Sequence, residues 1–232
     1  MAASTEDRGS DLGKPPTDFD LIVFDCDGVL VDSETLACGC LSALLCEHGY
    51  QVDLEGVFEQ FLGRSFSVVG EQYLAAVGRP LDPGFGEIFR AALKERFAAE
   101  LRPMQGVEAL LARLETRSCV ASSSDRERLS FSLAIANLAP YFGERVYSSD
   151  LVPRGKPAPD LFLHAAQQMG SAPARTLVIE DSVNGVVAGK AAGMIVWGFV
   201  GGSHYADRDG AEMLRAAGAD RILRGMADFP LL

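Results

Sequence analysis

The run Leu21-Ile22-Val23-Phe24 is apolar at every position and stops abruptly at Asp25-Cys26-Asp27-Gly28. Strand-forming residues without alternation, bounded by a turn signal, predict a strand buried on both faces, as in a parallel sheet. From Glu34 the period changes: Leu36, Leu41, Leu44 and Leu45 fall near one helical face before Gly49 ends the run. Further helices are predicted over Leu54–Leu62 and Ser67–Val77, after which Gly78-Arg79-Pro80 and Asp82-Pro83-Gly84 break the chain. Between Glu87 and Leu101, Phe89, Leu93 and Phe97 recur at the spacing of one buried helix face. No strand pattern interrupts 36–103. A stretch that long exceeds a βαβ crossover and predicts an inserted all-helical unit.

From Gly106 a second rhythm begins. Val107, Leu110, Leu111 and Leu114 make a helix stripe, Cys119–Ala121 a short strand, and Asp125 caps the next helix. Strands are predicted near Arg145–Tyr147, Thr176–Ile179, Met194–Gly198 and Arg221–Leu223, and helices near Pro159–Met169, Val183–Ala192 and Ala211–Ala217. Alternation of this kind is the pattern of an α/β fold, a Rossmann-like parallel sheet covered on both faces. The predicted organisation is therefore a tail over 1–18, an α/β core over 19–35 and 104–232, and a helical cap over 36–103.

In an open parallel sheet the strands' carboxyl ends share one edge, and ligands bind there. The first strand delivers Asp25 and Asp27, the second Ser122 and Ser123, a later loop Gly155-Lys156-Pro157, and the strand before Ser182 delivers Glu180 and Asp181. Singly, each has a structural reading: an Asp/Gly turn, a helix-entry serine, a solvated lysine, acids near a helix N-terminus. Their convergence on one edge argues for a site. Two carboxylates at i and i+2 repel unless a cation lies between them, and hard oxygen ligands suit Mg2+.

Composition narrows the partners. The 232 residues are 48% hydrophobic and 23% charged, within the range of globular proteins. A formal net charge of −11 with no basic run excludes nucleic acid and anionic membranes as partners, so attraction of an anionic substrate must be local. Five cysteines without regular spacing indicate a reducing, cytoplasmic setting rather than a disulfide framework, and neither they nor His48, His164 and His204 show zinc-ligand spacing. Met1–Asp18 is polar and reads as a mobile tail without a leader, and nothing later is long enough to span a membrane.

Asp25-x-Asp27-Gly28-Val29-Leu30-Val31-Asp32-Ser33-Glu34, Ala121-Ser122-Ser123-Ser124, Gly155-Lys156-Pro157-Ala158-Pro159-Asp160 and Val178-Ile179-Glu180-Asp181-Ser182 resemble, in order, the four motifs of the haloacid-dehalogenase-like phosphohydrolases. The resemblance covers nearly the whole chain after the tail, and the helical insertion is similar to that family's small cap. It implies an Mg2+-dependent phosphatase, with Mn2+ fitting the same oxygens, acting on sugar phosphates or sugar-acid phosphates of the 6-phosphogluconate kind. Asp25 would be the nucleophile and Asp27 the general acid and base, in surroundings expected to raise its pKa. The metal would sit on Asp25, the Asp27 carbonyl and Asp181, supported by Glu180; Ser122, Ser123, Gly28 and Lys156 would receive the phosphate. Arg64, in Gly63-Arg64-Ser65 of the cap, resembles the position where beta-phosphoglucomutase-like relatives place an arginine over a second substrate anion; its other reading is a solvated helix-end residue. The expected partner is a small phosphorylated metabolite, and the expected assembly a monomer or weak homodimer.

Departures from the family limit its variants. Beta-phosphoglucomutase carries a histidine where this chain has Ala37, which disfavours a phosphosugar mutase, and true dehalogenases lack the second aspartate, present here as Asp27. A non-catalytic receiver-like domain needs neither Asp27 nor a cap.

Overall fold

A computed structural model describes residues 19–63 and 66–230; the segment read as a tail, 1–18, and Arg64 lie outside the described residues. Six parallel strands form one sheet: β1 (Leu21–Phe24), β2 (Ser118–Ser122), β3 (Val146–Ser148), β4 (Thr176–Glu180), β5 (Ile195–Phe199) and β6 (Arg221–Leu223), in the order β3-β2-β1-β4-β5-β6. The apolar strand β1 lies inside the sheet, with Phe24 paired to Val120 of β2 on one side and to Ile179 of β4 on the other. The chain steps outward from β1 to β3, returns across β1 to β4, and proceeds to β6. A ligand crevice opens at the carboxyl ends of the strands where such a reversal occurs.

Successive strand side chains point to opposite faces. Ile22 and Phe24 join a core with Leu110, Leu129 and Phe142, whereas Leu21 and Val23 pack with Leu161, Phe162, Val186 and Leu214 on the other face. The uniformly apolar run is thus explained by burial on both sides.

The helical insertion comprises Glu34–Glu47, Leu54–Phe61, Phe66–Val77 and Phe85–Glu100. The fourth helix starts two residues earlier than its periodicity suggests, because the Asp82 carboxylate accepts from the Gly84 amide at 2.7 Å and the turn delivers Phe85, fully buried, into the stripe completed by Leu93 and Phe97. The two connections between insertion and sheet lie side by side: Met104 N donates to Leu30 O (2.8 Å) and Asp32 N to Arg102 O (3.2 Å). Helix Val107–Leu111 ends short of Leu114, while helix Ala139–Phe142 and the 3-10 turns, including Ser203–Tyr205, are too short to leave a period in the sequence.

Truncation of the fully buried Ile22 to Ala should cost about 2–5 kcal/mol, while Leu74→Ala, at a half-exposed cap position, should stay within about 0.5 kcal/mol. Urea denaturation of both variants checks the placement of β1 in the core.

Candidate active site

The amino group of Lys156, side chain 3% exposed, lies 2.6 Å from Asp25 Oδ1, 2.7 Å from Glu180 Oε1 and 3.1 Å from the Ala121 carbonyl. It donates to all three, so its three N–H bonds are used. Asp25 directly follows β1, and its amide donates to Ile179 O of β4. Glu180, ending β4, accepts Lys156 on one carboxylate oxygen and the amide and hydroxyl of Ser182 on the other. It is therefore occupied in holding Lys156 and the start of helix Val183–Ala191. A Cβ at Gly185 would lie 1.7 Å from Glu180 Oε1, so glycine is what lets the carboxylate reach that helix.

Asp27 sits among donors. Its Oδ1 accepts from Ser33 (2.7 Å) and from an Arg128 guanidinium nitrogen (2.9 Å), and its Oδ2 accepts from the Ser124 hydroxyl (2.7 Å). Burial pushes the carboxyl upward, but the Arg128 charge and these hydrogen bonds outweigh it and hold Asp27 below the usual carboxylate range. The expectation of a raised pKa is thus corrected: a cation and two hydroxyls converge on Asp27, and all stabilise its charged form. Arg128 belongs to the first turn of helix Arg126–Ile135, which Asp125 caps by accepting from the Arg128 amide, as its sequence position suggested.

Asp25 and Asp181 have the opposite environment. For Asp25, burial and the charges of Glu180, Asp181 and Asp27 raise the pKa well above normal against the pull of Lys156. Asp181 is raised by burial and by Glu180. Its Oδ2 lies 3.3 Å from Nε2 of the buried His204, whose own pKa burial lowers. Gly28 has φ +73°, and a Cβ there would fall 1.8 Å from Asp181 Oδ2. Gly28 thus serves to admit the Asp181 carboxylate beside the Asp25 loop.

These groups border a cavity of about 700 Å3. Its floor is the sheet edge, with Asp25, Asp27, Ser122, Ser123, Lys156 and Asp181; its far wall is the helical insertion, with Leu41, Phe61, Leu62, Phe66, Val69 and Phe89. Ser122 Oγ accepts the Ser124 amide at 3.1 Å, and the Asn184 side chain donates to Gly63 O at 2.6 Å, joining floor and wall. Among the described lining residues six are acidic and two basic. Both basic side chains already face acids, and the raised pKa values of Asp25 and Asp181 reflect burial together with the crowding of carboxyl groups around them. Hard carboxylate oxygens in such surplus fit a small divalent cation. No cluster of three or more His, Cys, Asp or Glu side chains suited to a metal occurs among the described residues. A site built from two carboxylates and a main-chain carbonyl, completed by water and phosphate oxygens, does not require one.

Arg128, Ser124, Glu34 and His204 were not singled out from the sequence. Ser124 and Glu34 lie within the quoted motifs. Arg128 could have been found as a basic residue in the first turn of a helix starting at the sheet edge, and His204 as a polar residue after the Gly201-Gly202 that follows a strand.

Comparison with known proteins identifies the family. The chain matches the haloacid dehalogenase-like hydrolases over residues 19–193. It is 31% identical over 187 residues to 6-phosphogluconate phosphatase of Escherichia coli K12, covering 80% of this chain and 85% of that protein. Among solved structures, a haloacid dehalogenase-like protein of Agrobacterium tumefaciens superposes with TM-score 0.82 at 41% identity, covering 90% of this chain and 95% of its own. A Deinococcus radiodurans family hydrolase with bound phosphate and sodium gives TM-score 0.78 at 34% identity, covering 92% and 94%.

Glu34, facing the same cavity, is raised to about 7 by burial and by the charges of Asp27 and Asp181. Between its usual value near 4.5 and 7 the native state holds a proton that the unfolded chain has released, so Glu34 lowers stability as pH rises through that window. In EDTA, Glu34→Gln should therefore gain stability over wild type from pH 5 to pH 8, read by denaturant titration at each pH.

Proposed function

The chain belongs to the haloacid dehalogenase-like hydrolases, and on that premise we propose that it is a metal-dependent phosphatase of small sugar phosphates or sugar-acid phosphates, working through an aspartyl-phosphate on Asp25. The observation that carries the proposal is the buried Asp25, fixed by Lys156 through one carboxylate oxygen at the cavity floor, with Asp27 two residues on.

In the first step an Asp25 oxygen attacks phosphorus, the P–O bond to the sugar breaks, and the leaving oxygen takes a proton from Asp27. In the second, water attacks the aspartyl-phosphate while Asp27 takes its proton, releasing phosphate and regenerating the Asp25 carboxylate. The donors around Asp27 favour the ionised form this second step needs; in the first, Asp27 must enter protonated. Ser122 Oγ and the Ser123 amide are assigned to phosphate oxygens, and Lys156 offsets charge on the nucleophile. A magnesium or manganese ion, held by the Asp25 carboxylate, the Asp27 carbonyl and Asp181, would neutralise the phosphoryl oxygens. Arg64 remains the proposed reader of a second substrate anion, and the proposed division at 36–103 follows the paired connections beside Val31 and Pro103.

A mutase reading finds less support. Ala37 lines the cavity and offers no acid or base at the position where the sequence departs from beta-phosphoglucomutase.

Phosphate release from a panel of sugar phosphates, sugar-acid phosphates and nucleotides tests the proposal. Release with Mg2+ should vanish in EDTA, fall on the order of 10^3-fold or more in Asp25→Asn, and fall about 10^2–10^4-fold in Asp27→Asn. Full activity of Asp27→Asn would remove it from the mechanism.

A further inference from the structure

After β5 the chain runs through Gly201-Gly202-Ser203-His204-Tyr205, a segment outside the four motifs, and there it touches Asp181 twice, once at the carboxylate and once at the main chain. His204 places Nε2 3.3 Å from Asp181 Oδ2, and the Tyr205 hydroxyl donates to the Asp181 main-chain carbonyl. The two rings lie against each other with centroids 4.1 Å apart. Two glycines admit the imidazole: a Cβ at Gly202 would lie 2.7 Å from its Cε1 and Nδ1, and one at Gly28 would lie 3.2 Å from Cε1. The segment is also fastened to the loop after β1, since the amide and hydroxyl of Ser203 donate to Asp32 Oδ1 at 3.0 and 2.8 Å and its hydroxyl pairs with that of Thr35 at 2.7 Å. Among the described residues the buried Nδ1 of His204 has no hydrogen-bond partner, and the close polar contact of the ring is that of Nε2 with Asp181 Oδ2.

We propose that His204 and Tyr205 are positioning residues that brace Asp181 for the metal site: His204 packs its Nε2 edge against Asp181 Oδ2 and Tyr205 fixes the Asp181 main chain, so that the carboxylate is set to hold a cation that it would share with Asp25. This rests on the metal-dependent reading of the site. A carboxylate ligand packed against at one oxygen and held through its main chain loses less freedom when the ion binds. Partners of this kind, removed from a metal ligand, typically weaken the metal about 10–100-fold.

The test is calorimetric titration of the full chain with MgCl2, comparing wild type, His204→Ala, His204→Gln and Tyr205→Phe, with circular dichroism to confirm folding. His204→Ala should bind Mg2+ about 10–100-fold more weakly. His204→Gln, which keeps an N–H donor at similar reach, should recover most of that loss, and Tyr205→Phe should weaken binding by several-fold. In turnover, His204→Ala should raise the Mg2+ concentration needed for half-maximal release while leaving most of the rate at saturating Mg2+. Mg2+ affinity unchanged in both His204→Ala and Tyr205→Phe overturns the brace, as does a wild-type chain that binds no Mg2+. Should His204→Ala fail to fold, Tyr205→Phe decides alone. A wild type that binds Mg2+ yet releases phosphate from no ester refutes the phosphatase reading, and the brace is still judged by the affinity ratios.

Discussion

The Lys156 ammonium is shared by Asp25 Oδ1, Glu180 Oε1 and the Ala121 carbonyl, and through them it joins the carboxyl ends of three adjacent strands, β2, β1 and β4. A buried cation is tolerated only when fully partnered, and removing one member of such a set commonly costs about 3–5 kcal/mol. Here three donors meet three acceptors, with the Phe162 ring 4.7 Å from the nitrogen. The lysine thereby fixes which oxygen of Asp25 is occupied and leaves the other for chemistry. Glu180, expected from the sequence as a supporting acid of the metal site, holds this anchor and the start of the helix that follows it.

Two aspartates one residue apart are given opposite surroundings. Asp25 looks toward Glu180 and Asp181 as well as Lys156, and Asp27 looks toward Arg128, Ser33 and Ser124. Divergent environments for neighbouring acids separate a nucleophile from a proton-transfer group. The direction at Asp27 is nevertheless opposite to what a resting general acid requires, because Arg128 lies 101 residues downstream and its reach cannot be inferred from the Asp-x-Asp-Gly spacing.

Periodicity was enough to read the sheet, the four insertion helices and the strand ends bearing Asp25, Ser122, Glu180 and Asp181, because burial on two faces and helical stripes both leave local patterns. What depends on crossing distances was not legible. His204 showed no ligand spacing with any cysteine, yet it reaches Asp181 because β4 and β5 are neighbours. Gly28 looked like part of a phosphate loop, while its Cβ-sized gap is filled by Asp181. Both are consequences of strand order, which a single sequence does not print.

The cap adds a constraint of its own. Its described cavity-facing residues are mainly apolar, and the two basic side chains on the floor are already engaged, Lys156 by Asp25 and Glu180, Arg128 by Asp27. At an effective dielectric near 20, two unit charges about 4 Å apart interact by about 4 kcal/mol, so a phosphate dianion meets repulsion from each lining carboxyl that is ionised, Asp27 among them, while both floor cations are already engaged. The net charge of −11 deepens the same field. On the proposed reading, a cation held by Asp25 and Asp181 would supply the attraction for substrate. Metal and phosphate would then bind in mutual support, and whatever holds Asp181 in place would bear on both.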